Sequence, residues 1–204
     1  ENQTSATSTT VANVAVGYSA GNDITSGIRN NIIGAFAADA LTTGNYNVAN
    51  GYAALSGDTQ GSTAVAIGYS ALIAQNFTTA VSNYNVAVGF GTGQSITTGI
   101  NNTLLGGAAG DALTDADYNV ALGAFSLSTD TLGSRAVAVG YGALATQNYT
   151  TATNGYNVAV GYNAGNAITT GTLNTISGGL AGSSITTGVS NVIMGYATGD
   201  ALTD

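Results

Sequence analysis

The chain has 204 residues, enough for one or two ordinary domains, yet 30 are Gly, none is Pro and only 6% are charged. Its 44% apolar content, mostly Ala and Val, is too high for the disordered class, and no apolar run approaches the roughly 18 residues of a membrane span. A net charge of −8, with Arg29 and Arg135 the only cations, leaves no face to neutralise phosphates and excludes nucleic acid as a partner; with no Cys, disulfides cannot staple the fold.

Residues 1–12 are largely polar and aperiodic and read as a lead-in. The chain opens at Glu1 without Met and closes at Asp204 inside a unit, so it is expected to be a segment of something longer. From Asn13 onward one motif recurs: Asn-Val-Ala-Val-Gly stands at 13–17, 85–89 and 157–161, with looser versions between. Its closing glycine falls at Gly17, Gly34, Gly51, Gly68, Gly89, Gly106, Gly123, Gly140, Gly161, Gly178 and Gly195. The intervals run 17, 17, 17, 21 and then repeat. An asparagine series keeps the same step at Asn13, Asn30, Asn47, Asn85, Asn102, Asn119, Asn157, Asn174 and Asn191, broken only by Ala64 and Ala136. Super-repeats of three short units and one long unit therefore span 13–84 and 85–156, with a partial third at 157–204. Nested periods of this size belong to solenoids.

Within a unit, Val86-Ala87-Val88-Gly89-Phe90 alternates large and small residues and predicts a strand. A second extended piece is expected at Ile24-Thr25-Ser26 and its repeats, with Gly27, Gly44, Gly99, Gly171 and Gly188 supplying the positive φ of a corner. Two strands and two corners fill one short unit and make one coil. The prediction is an all-β chain, a parallel β-solenoid of about eleven coils, each as long as the interval between its glycines. One coil alone has too few apolar side chains to offset its chain entropy, so stacking must supply the stability.

The long units 64–84 and 136–156 are expected to divide their extra length between two corners, at Ile73–Asn76 with Ala80–Tyr84 and at Ala145–Asn148 with Ala152–Tyr156. Gln75, Asn76, Phe77, Gln147, Asn148 and Tyr149 are the candidate contact residues there. Ala15, Ala66, Ala87, Ala121, Ala138 and Ala159 stand where an exposed strand face would carry polar residues. That pattern predicts an obligate oligomer joined through the alanine face.

The units AVAIGYSAL (64–72) and AVAVGYGAL (136–144) resemble the repeats of YadA-like trimeric adhesin heads. NVAVGYNAGNAITTGTLNT (157–175) is still more similar to repeats of bacteriophage tail fibres, and the likeness covers nearly all of 13–204. The resemblance implies a left-handed parallel β-roll and a homotrimer with chains side by side, which would make the alanine face the trimer interface. It also implies a place in fibres that attach to cells, on a virion or at a cell surface, with a glycan or protein receptor as partner. Both unit lengths exceed the repeat of the adhesin heads, and in this the chain departs from that family.

Chemistry has little to work with. Without His, Cys or Lys, Ser-His-Asp, Cys-His and Schiff-base mechanisms are excluded for this segment. Asp111, Asp115 and Asp117 form the one carboxylate cluster, a candidate for glycan hydrolysis or Ca²⁺, set against plain acidic corner residues. The asparagines suit a ladder better than a sugar site. Thr pairs suggest ice binding, but adjacent side chains on a strand face opposite ways. Tyr18, Tyr52, Tyr69, Tyr141, Tyr162 and Tyr196 are candidates to stack on glycans or to fill the coil ends. The expected function is a structural or adhesive segment of a phage tail fibre, with no enzyme activity, metal or cofactor. A bacterial trimeric autotransporter head is the alternative, ahead of a glycan-degrading tailspike or an ice-binding solenoid.

Overall fold

The structure, a computed structural model, describes residues 11–200; the rest of the lead-in and the end of the chain lie outside the described residues. It is all-β, with fifteen short strands and, among the described residues, no helix. In chain order they are β1 (Val14–Val16), β2 (Asn31–Ile33), β3 (Val48–Asn50), β4 (Gly61–Ser62), β5 (Val65–Ile67), β6 (Val81–Ser82), β7 (Val86–Val88) and β8 (Thr103–Leu105). There follow β9 (Val120–Leu122), β10 (Gly133–Ser134), β11 (Val137–Val139), β12 (Thr153–Asn154), β13 (Val158–Val160), β14 (Thr175–Ser177) and β15 (Val192–Met194).

One strand from each of eleven coils joins a single parallel sheet, ordered β1-β2-β3-β5-β7-β8-β9-β11-β13-β14-β15. Pairing follows the repeat: Val14 faces Asn31 at one end, and Ile176 faces Ile193 at the other. Two small parallel pairs, β4–β6 and β10–β12, lie at the long coils. The chain is thus a parallel β-solenoid, and eleven strands at about 4.8 Å make a stack roughly 50 Å long.

The Ile-Thr-Thr segments, which the sequence alone marks as a second strand, are bends instead. After each ladder glycine the chain curls through a run of positive φ, at Gly17 (139°), Ser19 (54°) and Gly21 (56°) in the first coil. This curl leaves no room for another extended side. The bends still bond coil to coil, with the Thr42 amide donating to the Thr59 carbonyl at 2.7 Å and the Thr42 hydroxyl to the same oxygen at 2.8 Å.

The glycines after these bends also play another part than expected. Gly44 has no positive φ; a Cβ there would stand 2.1 Å from the carbonyl oxygen of Gly61 in the next coil. Close stacking demands the missing side chain. The closing glycines carry both constraints: Gly68 has φ of 131°, and a Cβ on it would lie 2.3 Å from the Gly89 oxygen.

The alanine face requires a correction. Ala66, Ala87, Ala121, Ala138 and Ala159 are fully buried inside the single chain, and Ala15 on the first strand is half-buried. Their side chains point into the coil, so a neighbouring chain cannot meet them. Ala66, Ala121 and Ala138 share their coils with a large residue, whereas Ala15, Ala87 and Ala159 share theirs with Gly21, Gly93 and Gly165, beside which Ile32, Leu104 and Ile176 of the next coil fill the space. Coils with Ala49, Ala66, Ala121 and Ala138 set them against Leu55, Leu72, Leu127 and Leu144, all buried. Coils with Leu104 and Ile176 reverse the sizes, using Gly110 and Gly182. A Cβ on Gly110 would sit 3.0 Å from Leu104 Cδ2, so the two positions share one volume.

Candidate functional site

With alanine inside, the alternation of a strand turns the larger residues outward. Val86 and Val88 face outward, with Tyr84 before them and Phe90 after. Stacked over eleven coils, the two central columns run from Val14 and Val16 to Val192 and Met194. They contain no charged residue; Asn31, Asn50, Thr103, Thr175 and Ser177 are their polar members. Val16 is 59% exposed, Leu105 50% and Met194 69%, so this is an uncovered apolar sheet face.

Aromatic columns border the face. The candidate tyrosines do not fill the coil ends: they stand outside, and all but Tyr196 meet another aromatic ring, stacked or edge-on. Tyr18, Phe36, Tyr52, Tyr69 and Phe90 form one run, with ring centroids 5.1–5.8 Å apart, and Phe125, Tyr141 and Tyr162 form a second. Phe36, Phe90 and Phe125 belong to the series as fully as the tyrosines; Phe36 and Phe125 stand one place later in the unit, which hides the column in the sequence. On the opposite border stand both cations. Arg29 donates to the Tyr46 hydroxyl at 2.6 Å, and the Arg135 guanidinium lies 5.0 Å from the Tyr118 ring centre and 5.8 Å from that of Tyr156.

The asparagine series forms a ladder inside the roll. Each amide does two jobs. Asn47 Nδ2 donates to the Gly61 carbonyl at 2.9 Å, closing its own coil, and Asn47 Oδ1 accepts from the Ala64 amide of the next at 2.9 Å. Asn13, Asn30, Asn85, Asn102, Asn119, Asn157 and Asn174 repeat both bonds. All but Asn13 and Asn191, in the end coils, are buried, so no sugar reaches them.

The long coils depart most from their expected form. Gln60 donates to the Phe77 carbonyl and Asn76 to the Thr97 carbonyl, so the chain stays in phase as far as Phe77. Register has slipped where Gly61 pairs with Val81, and slips once more at Tyr84, whose amide reaches Thr63. The inserted residues are therefore Thr78–Ala80 with Asn83, on one side of the roll, and Thr150–Ala152 with Gly155 in the second long coil. Gln75 and Gln147 are fully buried, Phe77 and Tyr149 nearly so. Asn76 is exposed and Asn148 half-buried, accepting from the hydroxyls of Thr59 and Thr131. Of the six candidate contact residues, only these two reach the surface.

Gln75 occupies the core column held elsewhere by Ile24, Leu41 and Ile96, directly above Asp58 in the same column. Asp58, fully buried, accepts from Gln75 Nε2 at 2.7 Å and from the amides of Gly61 and Phe77. Gln75 Oε1 in turn accepts from Asn85 Nδ2 at 2.9 Å. This relay reaches across the coil where Ala64 interrupts the ladder. Asp130, Gln147 and Asn157 repeat it in the next super-repeat. Next to the relay the two copies differ at two linked positions. Tyr149 donates its hydroxyl to the Gly171 carbonyl at 2.5 Å and sits over Gly155; the first copy has Phe77 and Asn83. A Cβ on Gly155 would lie 2.9 Å from that hydroxyl, so phenol and side chain exclude each other. Phe77→Tyr should destabilise the chain, and adding Asn83→Gly should recover about 1–2 kcal/mol, measured as the coupling energy of a double-mutant cycle.

Burial raises the Asp130 carboxyl above its ordinary value, against the lowering effect of its hydrogen bonds, first among them Gln147. Burial raises Asp39 and Asp111 likewise. A carboxyl raised by folding binds its proton more tightly in the folded chain. Its stabilising effect is complete below the ordinary carboxylate range and is lost as pH rises through the folded value. Thermal melts should therefore show the midpoint rising as pH falls from 7 toward 4, with a flatter slope in Asp130→Asn; a midpoint that falls over this range contradicts the assignment. Burial also pushes the Tyr149 phenol up to about 12, with the Asp130 charge as second cause.

The acidic cluster does not converge. Asp115 accepts from the Thr98 hydroxyl, Asp117 accepts from the Ile100 amide, and Asp111 Oδ1 is buried without a partner. Thr25, Thr42, Thr97, Thr114 and Thr169 spend their hydroxyls on carbonyls of the next coil. Architecture and surface together define a β-solenoid repeat protein. Compared with protein-family models, curated proteins and solved structures, the chain matches none of them.

Proposed function

We propose that the chain is a structural segment of an adhesive fibre, in which copies pack side by side through their valine faces. The observation behind this reading is the uncovered sheet face. Between its aromatic borders it measures about 50 Å by about 10 Å, on the order of 500 Å², so two copies would bury about 1,000 Å², enough for a specific interface that leaves the borders open. Its apolar columns repeat once per coil along the whole stack. A second copy of the chain has the same repeat and keeps contact over the full length. The number of copies, three, and the left-handed winding rest on the resemblance to adhesin heads and tail-fibre repeats. So does the placement in a phage tail fibre, as spacer or host-attachment region, or in a bacterial surface adhesin.

Light scattering on the recombinant chain should give about three times its 19.9 kDa mass; a monomer at micromolar concentration overturns the reading. Spacer and attachment roles separate at the exposed insertions. Deleting Thr78–Ala80 and Thr150–Ala152 should leave the roll folded. Loss of cell adsorption by the trimmed fibre assigns attachment to these corners, and unchanged adsorption assigns the segment to spacing.

A further inference from the structure

The aromatic column along one border is interrupted at the coil between Phe90 and Phe125. Phe36 shows how a complete column looks: Tyr18 lies 5.3 Å before it and Tyr52 5.8 Å after. Phe125 has the same place in its unit, the same φ of 58° and the same edge contact with the next ring, Tyr141 at 5.7 Å. The position corresponding to Tyr18 is Gly107. A Cβ there would come no nearer than 4.0 Å to another residue, the Phe90 carbonyl oxygen, so the space above it is open. Phe90 stacks on Tyr69 at 5.1 Å with the rings 9° apart, which leaves its other face turned to this notch. Its exposure is 68%, against 50% for Tyr69, which has a ring on each side.

We infer that the notch over Gly107, between Phe90 and Phe125, binds one neutral hexopyranose ring of a surface glycan. Two strand spacings separate its walls by about 9.6 Å, so a ring held midway lies about 4.8 Å from each, within stacking range. A pyranose offers an apolar C–H face to the open face of Phe90. Its hydroxyls need polar partners at the rim. Gln94 supplies one, since its side chain folds back to within 3.3 Å of where a Cβ on Gly91 would stand, beside Phe90. Neither wall carries a charge, which suits a neutral sugar better than an acidic one. Gly179 marks the same step in the next super-repeat, between Tyr162 and Tyr196, but there Tyr196 leans to within 3.6 Å of the vacant Cβ position. The first notch is the open one.

This inference rests on the adhesive reading, giving it a ligand class, and is tested separately from it. Gly107 has no positive φ, so Gly107→Tyr should complete the column without disturbing the fold, which circular dichroism and the melting midpoint would confirm. The probes are neutral hexasaccharides of glucose, galactose and mannose, in α and β linkage, read by saturation-transfer NMR. At least one should take up saturation at its ring protons. Gly107→Tyr should weaken that binding at least tenfold, and Gly107→Ala should retain most of it. Should the tyrosine variant misfold, Phe90→Leu removes the wall instead and should give the same loss. Absence of binding to every probe, or binding that survives both variants, overturns the proposal. A changed molecular mass in Gly107→Tyr also overturns it, by assigning the notch to a neighbouring copy. A monomeric wild type that still binds sugar would sink the side-by-side assembly and leave the notch standing.

Discussion

Gly68→Ala is expected to cost at least about 3 kcal/mol and to split the roll near its middle. Two penalties combine there. The backbone has φ of 131°, where an L side chain is strained by roughly 1–3 kcal/mol. The new methyl would lie 2.3 Å from the Gly89 carbonyl oxygen and 2.7 Å from its carbon, both backbone atoms fixed by the sheet. Relief requires the fourth and fifth coils to separate, which strains the ladder bond from the Gly89 amide to Ile67. Gly107→Ala is the control, with neither a positive φ nor a close neighbour, and its change should stay within about 0.5 kcal/mol. Urea denaturation of both variants checks the pair. Equal midpoints would refute the close-stacking account.

A second large effect separates the two faces of the strand. Ala87→Glu should abolish folding, because it places a charge and extra volume in a fully buried position of the coil; a cost of several kcal/mol is expected. Val88→Glu, the next residue along, points outward and should leave circular dichroism near wild type while reducing the mass to that of one chain. Size-exclusion chromatography with light scattering reads both. A folded Ala87→Glu would refute the inward placement of alanine. An unaltered oligomer in Val88→Glu would refute the valine interface and with it the proposed assembly.

The repeat, the Val-Ala-Val strand of each coil and the stacking of like residues are legible in the sequence because each is a statement about period; that the Ile-Thr-Thr segments bend is not. Neither is the choice of which strand face is buried. Val86-Ala87-Val88 alternates either way, and ordinary experience puts the larger residue inside. Here the coil is so narrow that alanine fills it when leucine stands opposite, as Ala66 does with Leu72, and the valines are left outside. The insertion is hard to place for a related reason. Gln75 looks like a corner residue by its polarity, and only the hydrogen bonds from Gln60 to Phe77 and from Asn76 to Thr97 reveal that it continues a core column. A polar residue in a core column declares itself only when its partner is known. Asp58, one coil earlier and equally out of place among Ile24, Leu41 and Ile96, is the available signal. The break at Gly107 stays hidden in the sequence, because the aromatic column draws on two different positions of the repeat.

The asparagine ladder has a direction. Every amide oxygen accepts its hydrogen bond from the coil that follows, never from the coil before: Asn13 from Asn30, Asn30 from Asn47, Asn157 from Asn174. Along this ladder the acceptor side of each coil therefore faces one end of the stack and the donor side faces the other, as the two poles of a magnet differ. Two copies brought together by like ends would set acceptor against acceptor or donor against donor. Continuation of the stack is favoured only head to tail, so a rod built from this repeat carries an arrow from one end to the other. Whatever the rod joins, the two ends are chemically distinct sockets, and a cap that seals one will not seal the other.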